Sequence, residues 1–96
     1  MSSLLTIHES EGLKIELEFG NGLVFWHTTQ ADNFNLKQYK KMKKVLDDLS
    51  KFLKLHYDYL WTGMEPNRHD LRKLAAHGGF EYHSHVSGYD MYRKPL

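Results

Sequence analysis

The first third of the chain alternates between apolar and polar residues, a pattern that predicts β-strands. Between residues 13 and 19 the alternation is strict, so one face of this strand should be buried and the other exposed to water. We expect an earlier strand at 4–8 and a returning strand at 23–28. The Gly-Asn-Gly sequence at 20–22 favours a tight turn between the last two, because its residues tolerate positive φ. The segment therefore predicts a three-stranded meander.

The apolar spacing changes to three and four residues between positions 36 and 56, which predicts one long helix. Asn35 is the expected N-cap, because its side chain can accept a hydrogen bond from the first free backbone N–H groups. A stripe this broad is typical of a helix that packs on a sheet. The stripe comprises Tyr39, Met42, Leu46, Leu49, Leu53 and His56, widened by Val45 and Phe52.

Shorter elements follow, separated by residues that end helices and strands. Leu71, Leu74 and Ala75 are expected to face inward from a second, short helix, which Gly78-Gly79 should end in the left-handed conformation. In chain order we expect a strand at 59–62, a break at 65–67, the short helix at 68–77, and strands at 80–86 and 89–93 joined across Ser87-Gly88.

This order of elements, β-β-β-α-β-α-β-β, predicts an α+β fold with a mixed sheet, one long helix and one short helix. The two helical crossovers should be right-handed. The chain has 96 residues, too few for two independent cores, so we expect one domain over 1–96.

Composition excludes several kinds of chemistry. Cysteine is absent, which rules out disulfides, thiolate catalysis and zinc sites that contain cysteine. His83 and His85 stand two apart in a predicted strand and should share a face, yet two ligands do not make a zinc site. We therefore expect no metal. No apolar run reaches the length of a membrane span and no signal peptide is recognisable, so we expect a cytoplasmic protein without membrane contact.

Charge is unevenly distributed although the net charge is only +1. Residues 1–35 carry −4 and residues 36–56 carry +5. Lysines crowd the start of the long helix, where the helix dipole disfavours them. They are either a binding surface for an anionic partner or a solvated face, balanced in part by Lys43–Asp47 and Lys44–Asp48 pairs. The candidate interaction residues are Lys37, Lys40, Lys41 and Lys44.

The bulky aromatic residues are expected to fill the sheet. A surface that stacks single-stranded nucleic acid would need them outward and interleaved with cations, so we expect no nucleic-acid partner. The residues concerned are Trp26, Trp61, Tyr82, Tyr89 and Tyr92.

The second half of the chain resembles the end of a GNAT-superfamily N-acetyltransferase. The resemblance covers about residues 13–96 and is carried by the segments at 59–62, 67–80 and 91–96, with their strand, Asn-led helix, Gly-Phe and Lys-Pro-Leu tail. It implies the C-terminal half of that fold, with acetyl-CoA bound between the ends of the third and fourth strands. In pattern the chain is most similar to small acetyltransferase-like proteins of short-tailed bacteriophages.

Three departures from the family pattern bear on activity. The family's glycine-rich pyrophosphate loop is replaced by the glycine-free segment 31–36. The family's general-acid tyrosine corresponds to Ala75. The strand and helices that precede this region in the family are not found. The resemblance thus implies the fold without the catalytic groups, and we expect no catalytic residue and no cofactor.

We therefore expect a non-catalytic, phage-encoded binding or assembly protein, located in the host cytoplasm or the virion. It would contact a host or virion protein, or a second copy of itself, through the exposed edge of the sheet. The alternative is a minimal acetyl-CoA-dependent N-acetyltransferase. In that case His27, Lys37 and Asn67 would contact the cofactor, and His27 could act as a base. A second alternative is a host-factor or nucleic-acid binding protein that uses the lysine-rich helix.

Overall fold

The computed structural model describes residues 3–10, 12–30 and 36–96. It contains the predicted sequence of elements, each close to its expected bounds. These are β1 (Ser3–Ser10), β2 (Leu13–Gly20), β3 (Leu23–Gln30), α1 (Leu36–Leu53), β4 (Tyr59–Met64), α2 (His69–His77), β5 (Glu81–Val86) and β6 (Tyr89–Pro95).

The six strands form one mixed sheet in the order β1-β2-β3-β4-β6-β5. β3 and β4 run parallel, and every other neighbouring pair is antiparallel. β1 and β5 are the edge strands of the described sheet. The turn before β3 has positive φ at Asn21 (55°) and Gly22 (75°), as a two-residue hairpin turn requires. The α+β prediction is confirmed in class and in order.

The core lies on one side of this sheet. The strict alternation in β2 buries Leu13, Ile15 and Leu17, each at most 2% exposed, as the pattern predicts. Val24 and Trp26 of β3 continue the same face, because Leu17 pairs with Trp26 across the ladder. α1 covers these strands with Met42, Leu46 and Leu53.

Both helices pack on that same side of the sheet. A Cβ placed on Gly78, at the end of α2, would lie only 2.9 Å from the Leu46 side chain of α1. Ala75, which faces inward from α2 as expected, belongs to the same buried cluster. Because both crossovers advance along the sheet in the same direction and lie on the same face, they have the same handedness. The opposite face, which we call the open face, carries no helix of the described chain.

α1 ends at Leu53 and not at residue 56. The backbone N–H groups of Leu55 and His56 bond to carbonyls three residues back instead of four, which tightens the last turn. The chain then turns so that the Tyr57 ring packs against Phe19, with centroids 6.2 Å apart. His56 is therefore not part of the helical stripe.

Phe52 was expected on the packed face of α1, and this prediction is wrong. Its side chain is 62% exposed, because α1 covers the middle of the sheet and covers β1 only in part. The Lys43–Asp47 pair forms at 3.9 Å, but Lys44 and Asp48 form no ion pair within the described residues.

The prediction that His83 and His85 share a face is also wrong. A bulge between Tyr82 and Ser84 inserts an extra residue and shifts the alternation of β5. His83 packs edge-on against Trp61 of the open face, at 5.0 Å between ring centroids. His85 lies instead 2.9 Å from the Asp90 carboxylate, on the helix-covered side.

The aromatic residues divide between the two faces. Trp26 and Tyr92 fill the core as expected, at 5% and 6% exposure. Tyr82 and Tyr89 do not, because they lie in the outer hairpin and are at least half exposed. Trp61 is partly exposed on the open face.

The end of α2 is fixed by glycine and by a lysine from the last strand. Gly79 has φ +92°, which confirms the left-handed stop, while Gly78 stays helical at −79°. The Lys94 ammonium donates a hydrogen bond to the Gly78 carbonyl at 2.7 Å. This contact ties the short helix to β6.

Replacing Leu46 with Ala should lower the free energy of unfolding by about 2–5 kcal/mol, because this side chain joins the sheet and both helices. Urea denaturation followed by circular dichroism measures the loss. Leu55→Ala is the matched control, since Leu55 is 70% exposed, and it should change stability by less than about 0.5 kcal/mol. Equal losses in the two variants would contradict the assignment of the core.

Candidate functional site

The parallel strands β3 and β4 are joined at one point and then part. Their ladder contains one residue pair, Phe25 with Trp61. One residue further on, the Thr62 hydroxyl donates a hydrogen bond to the Trp26 carbonyl at 2.9 Å. Beyond that contact no further ladder pair joins the two described strands, and a gap lies between their C-terminal ends beneath the helices.

A small, mainly apolar cavity occupies this gap, with a volume of about 120 Å³. Ligand pockets usually measure roughly 300–1,000 Å³, so the cavity is smaller than a typical ligand pocket. Of the described residues around it, only His27 is ionisable. The lining comprises Trp26, His27, Thr28, Met42, Leu46, Thr62, Gly63, Met64, Leu71, Leu74, Ala75 and Phe80.

His27, the candidate base, is engaged by a carboxylate. Its Nε2 atom lies 2.8 Å from the Glu18 Oε1 atom, and the imidazole is 44% exposed. The strand register places both residues on the open face, opposite Trp26 and Thr28, whose side chains point towards the helices. The imidazole therefore turns towards Glu18 on the open face, although His27 also borders the cavity.

The other residues expected at a cofactor site do not line the cavity. Lys37 is exposed on the first turn of α1, and Asn67 is exposed in the turn before α2. Residues 31–35, which include the predicted N-cap Asn35 and most of the glycine-free loop, lie outside the described residues. Ala75 borders the cavity with a methyl group, which supplies no proton there.

The start of α2 is organised by one exposed ion pair. The N-cap residue is Arg68, one position later than the Asn-led start that the sequence suggests, and no side chain caps the helix. The Arg68 guanidinium, by hydrogen bonding, lowers the pKa of Asp70, and the Leu71 backbone N–H acts in the same direction. The pair thus favours the folded state above the unfolded pKa of Asp70, and this contribution is lost as pH falls through the lowered value.

A larger apolar groove lies elsewhere, between β1 and the C-terminal half of α1. Its volume is about 480 Å³. It exists because α1 lies over the middle of the sheet, so that Leu5 is 52% exposed although it pairs with the buried Leu17. We call it the β1 groove; it is lined by Leu5, Ile7, Leu17, Phe19, Gly22, Leu49, Phe52, Leu53, His56 and Tyr57.

Sequence reasoning identified the β1 edge but missed the β1 groove. The signal was present in Phe52 and His56, which the helical spacing placed on the packed face. Only the position of α1 relative to β1 shows that they border an open space.

Other kinds of site are not found in the described part of the chain. No group of three or more His, Asp or Glu side chains there could hold a metal ion. None of the helices in that part is long and apolar enough to cross a membrane.

Comparison with known proteins identifies the fold. No protein-family model matches the chain, and no curated protein sequence matches it. Its structure is similar to that of a Sphaerobacter thermophilus DSM 20745 protein assigned as an acetyltransferase. That match has a TM-score of 0.58 and 11% identity, and it covers 99% of this chain and 70% of the other.

A second similar structure is a spermidine N-acetyltransferase chimera of Vibrio cholerae SpeG and hSSAT. The TM-score is 0.61 and the identity 15%, over 96% of this chain and 64% of that chain. At such identities the likeness establishes the fold alone. The acetyltransferase-like fold expected from the sequence is thereby confirmed, and the chain spans about two thirds of the length of these structures.

Replacing Thr62 with Val should reduce stability by about 1 kcal/mol, because it removes the hydrogen bond that holds β3 and β4 together where they part. Urea denaturation measures the change. Thr29→Val, at the exposed end of β3, is the control and should have little effect. A Thr62→Val protein as stable as the control would contradict the role of this bond.

Proposed function

We propose that the chain is a non-catalytic binding or assembly protein with an acetyltransferase-like fold, which acts by contacting a partner protein. The observation that carries this proposal is the β1 groove. It is about 480 Å³ in volume against about 120 Å³ for the cavity between β3 and β4, and it adjoins β1, whose outer edge pairs with no other strand of the described residues.

The β1 edge suits an extended segment of a partner. Unpaired N–H and C=O groups along an edge strand can accept a further strand, while a neighbouring pocket takes alternate side chains. Residues 3–7 of β1 carry no charge, which would otherwise oppose such pairing. Leu5 and Phe52, both more than half exposed, supply the apolar walls.

The chemistry of the inter-strand cavity supports a non-catalytic role. Acyl transfer to an amine needs a base to take a proton and an acid to protonate the leaving thiolate. The cavity offers apolar side chains, the Thr28 and Thr62 hydroxyls, and His27, whose imidazole is bound to Glu18. Ala75 stands where the family resemblance implies the general acid.

The phage assignment rests on the sequence pattern shared with small acetyltransferase-like proteins of short-tailed bacteriophages. In such a setting the partner would be a host or virion protein, and the chain would work in the host cytoplasm or within the virion. The alternative partner is a second copy of this chain, which would pair through β1.

Photo-crosslinking tests the β1 groove in the cells that produce the protein. A photoreactive phenylalanine in place of Phe52 should give one defined adduct, which Leu5→Asp in the same chain abolishes. A matched probe at Val86, which is 53% exposed on the opposite edge strand, should not give it. An adduct with the mass of two chains identifies a second copy as the partner. No adduct at Phe52, or the same adduct at Val86, would overturn the proposal.

Acetyl transfer is the second candidate, and the parting of β3 and β4 supports it. Both similar structures carry acetyltransferase names, and the gap lies between the strand ends where the resemblance implies acetyl-CoA. In this reading His27 stands at the mouth of the gap and the exposed lysines at the start of α1 attract the phosphates.

Calorimetric titration with acetyl-CoA distinguishes the two candidates. The binding proposal predicts no heat of binding at millimolar ligand, in the wild type and in a Lys37→Glu, Lys41→Glu, Lys44→Glu variant alike. Micromolar affinity in the wild type that is lost in the variant would establish the acetyl-CoA site and reject the non-catalytic proposal.

A further inference from the structure

Opposite sides of the molecule carry opposite charge. On α1, the side turned away from the sheet presents a row of exposed lysines that form no ion pair within the described residues. The row is about 21 Å long from its first lysine to its last, at a rise of 1.5 Å per residue. We call this row the lysine stripe; it comprises Lys37, Lys40, Lys44 and Lys51.

The open face is acidic where β1 and β2 meet. The strand register places Glu9, Glu16 and Glu18 on the open face, so they point away from the face that carries the buried leucines of β2. Lys14 is the one lysine of these two strands and lies 3.9 Å from Glu16, while the His27 imidazole of β3 lies 2.8 Å from Glu18. Glu9 and Glu18 have the most exposed carboxylates of the three. Along the strand direction, at 3.4 Å per residue, the two residues lie about 14 Å apart. We call these three glutamates the acidic patch.

Aromatic side chains extend the same face beyond the acidic patch. Tyr59 and Trp61 of β4 are partly exposed there, and the Arg93 guanidinium lies 4.0 Å from the centre of the Tyr59 ring. These rings give the open face apolar surface in addition to its charge. A contact made only of surface ion pairs would have no such apolar surface.

We propose that the lysine stripe of one molecule docks on the acidic patch of a second copy. The charges of the two surfaces are complementary and their lengths are compatible, so the chain carries both halves of one interface. This inference concerns different surfaces from the β1 groove and does not depend on what the groove binds.

The placement of the two surfaces determines the symmetry of the contact. A two-fold dimer brings the same patch together from both copies, which would set lysine against lysine or glutamate against glutamate. Because the complementary surfaces lie on opposite sides, the contact must be head-to-tail. Each added copy then leaves a free surface at both ends, so assembly continues beyond the dimer until a ring closes or as an open chain.

Sedimentation velocity over a range of protein concentrations tests this arrangement. In about 20 mM salt the sedimentation coefficient should rise continuously with concentration. In about 500 mM salt, where charges are screened over a few ångströms, association should be at least about tenfold weaker. All samples are treated with nuclease and checked for residual nucleic acid.

Charge-reversal variants identify the surfaces. Lys37→Glu, Lys40→Glu and Lys44→Glu together should abolish self-association, and so should Glu9→Lys with Glu18→Lys. An equimolar mixture of these two variants should associate again, because each still carries the surface that complements the other and the two reversed surfaces complement each other as well. A chain with all five changes should self-associate again, which separates pairing from net charge. Lys73→Glu, on the exposed side of α2, is the control and should behave as the wild type.

Circular dichroism confirms that each variant is folded, and Glu9→Gln with Glu18→Gln replaces the reversed pair if it is not. A wild type that remains monomeric at low salt would overturn the proposal, as would a mixture of variants that forms no complex. Association that disappears on nuclease treatment would assign the lysine stripe to nucleic acid and overturn it as well.

Discussion

Burial on one side of the sheet is the constraint on which the rest of this structure depends. The apolar residues of β2 and β3 are covered by α1 and α2, and Leu46 contacts the end of the second helix as well as the sheet. A domain of 96 residues buries only about 60% of the surface of its unfolded chain. Two helices on one face use the available apolar residues and leave the other face open.

The exposed features of the molecule follow from that arrangement. Because α1 lies over the middle of the sheet, β1 is only partly covered and the β1 groove opens beside it. Because no described helix lies on the second face, the acidic patch and the ring of Trp61 face outward. The cavity between β3 and β4 is lined mainly by apolar residues of both strands and both helices, and His27 is the one ionisable residue among the described residues around it.

Local patterns predicted the elements well, and the features they missed depend on tertiary geometry. Strict alternation in β2 identified its buried face, and the Asn21-Gly22 turn fixed its pairing with β3. The bulge in β5 has no signature in the alternation of its residues, so His83 was assigned to the wrong face. Phe52 fits the helical period of the core, yet a helix cannot cover every strand of a six-stranded sheet.

The candidate site was predicted less well than the fold. Resemblance pointed to His27 and to the ends of the third and fourth strands, where the structure has a gap. It could not show that Glu18 engages His27, because the two residues are nine positions apart and meet only through the β2–β3 register. The resemblance also could not show that Asn67 and Lys37 lie away from the cavity, because the distance of each residue from the cavity depends on how both helices pack.

Fluorescence quenching of the two tryptophans tests most directly whether the second face of the sheet is open. Trp61→Phe leaves Trp26, which is 5% exposed beneath α1, and Trp26→Phe leaves Trp61 on the open face. In dilute protein at high salt, acrylamide should quench the Trp61 emission several-fold more strongly than that of Trp26. Equal protection of the two would mean that the open face is covered in solution, and it would contradict the one-sided architecture described above.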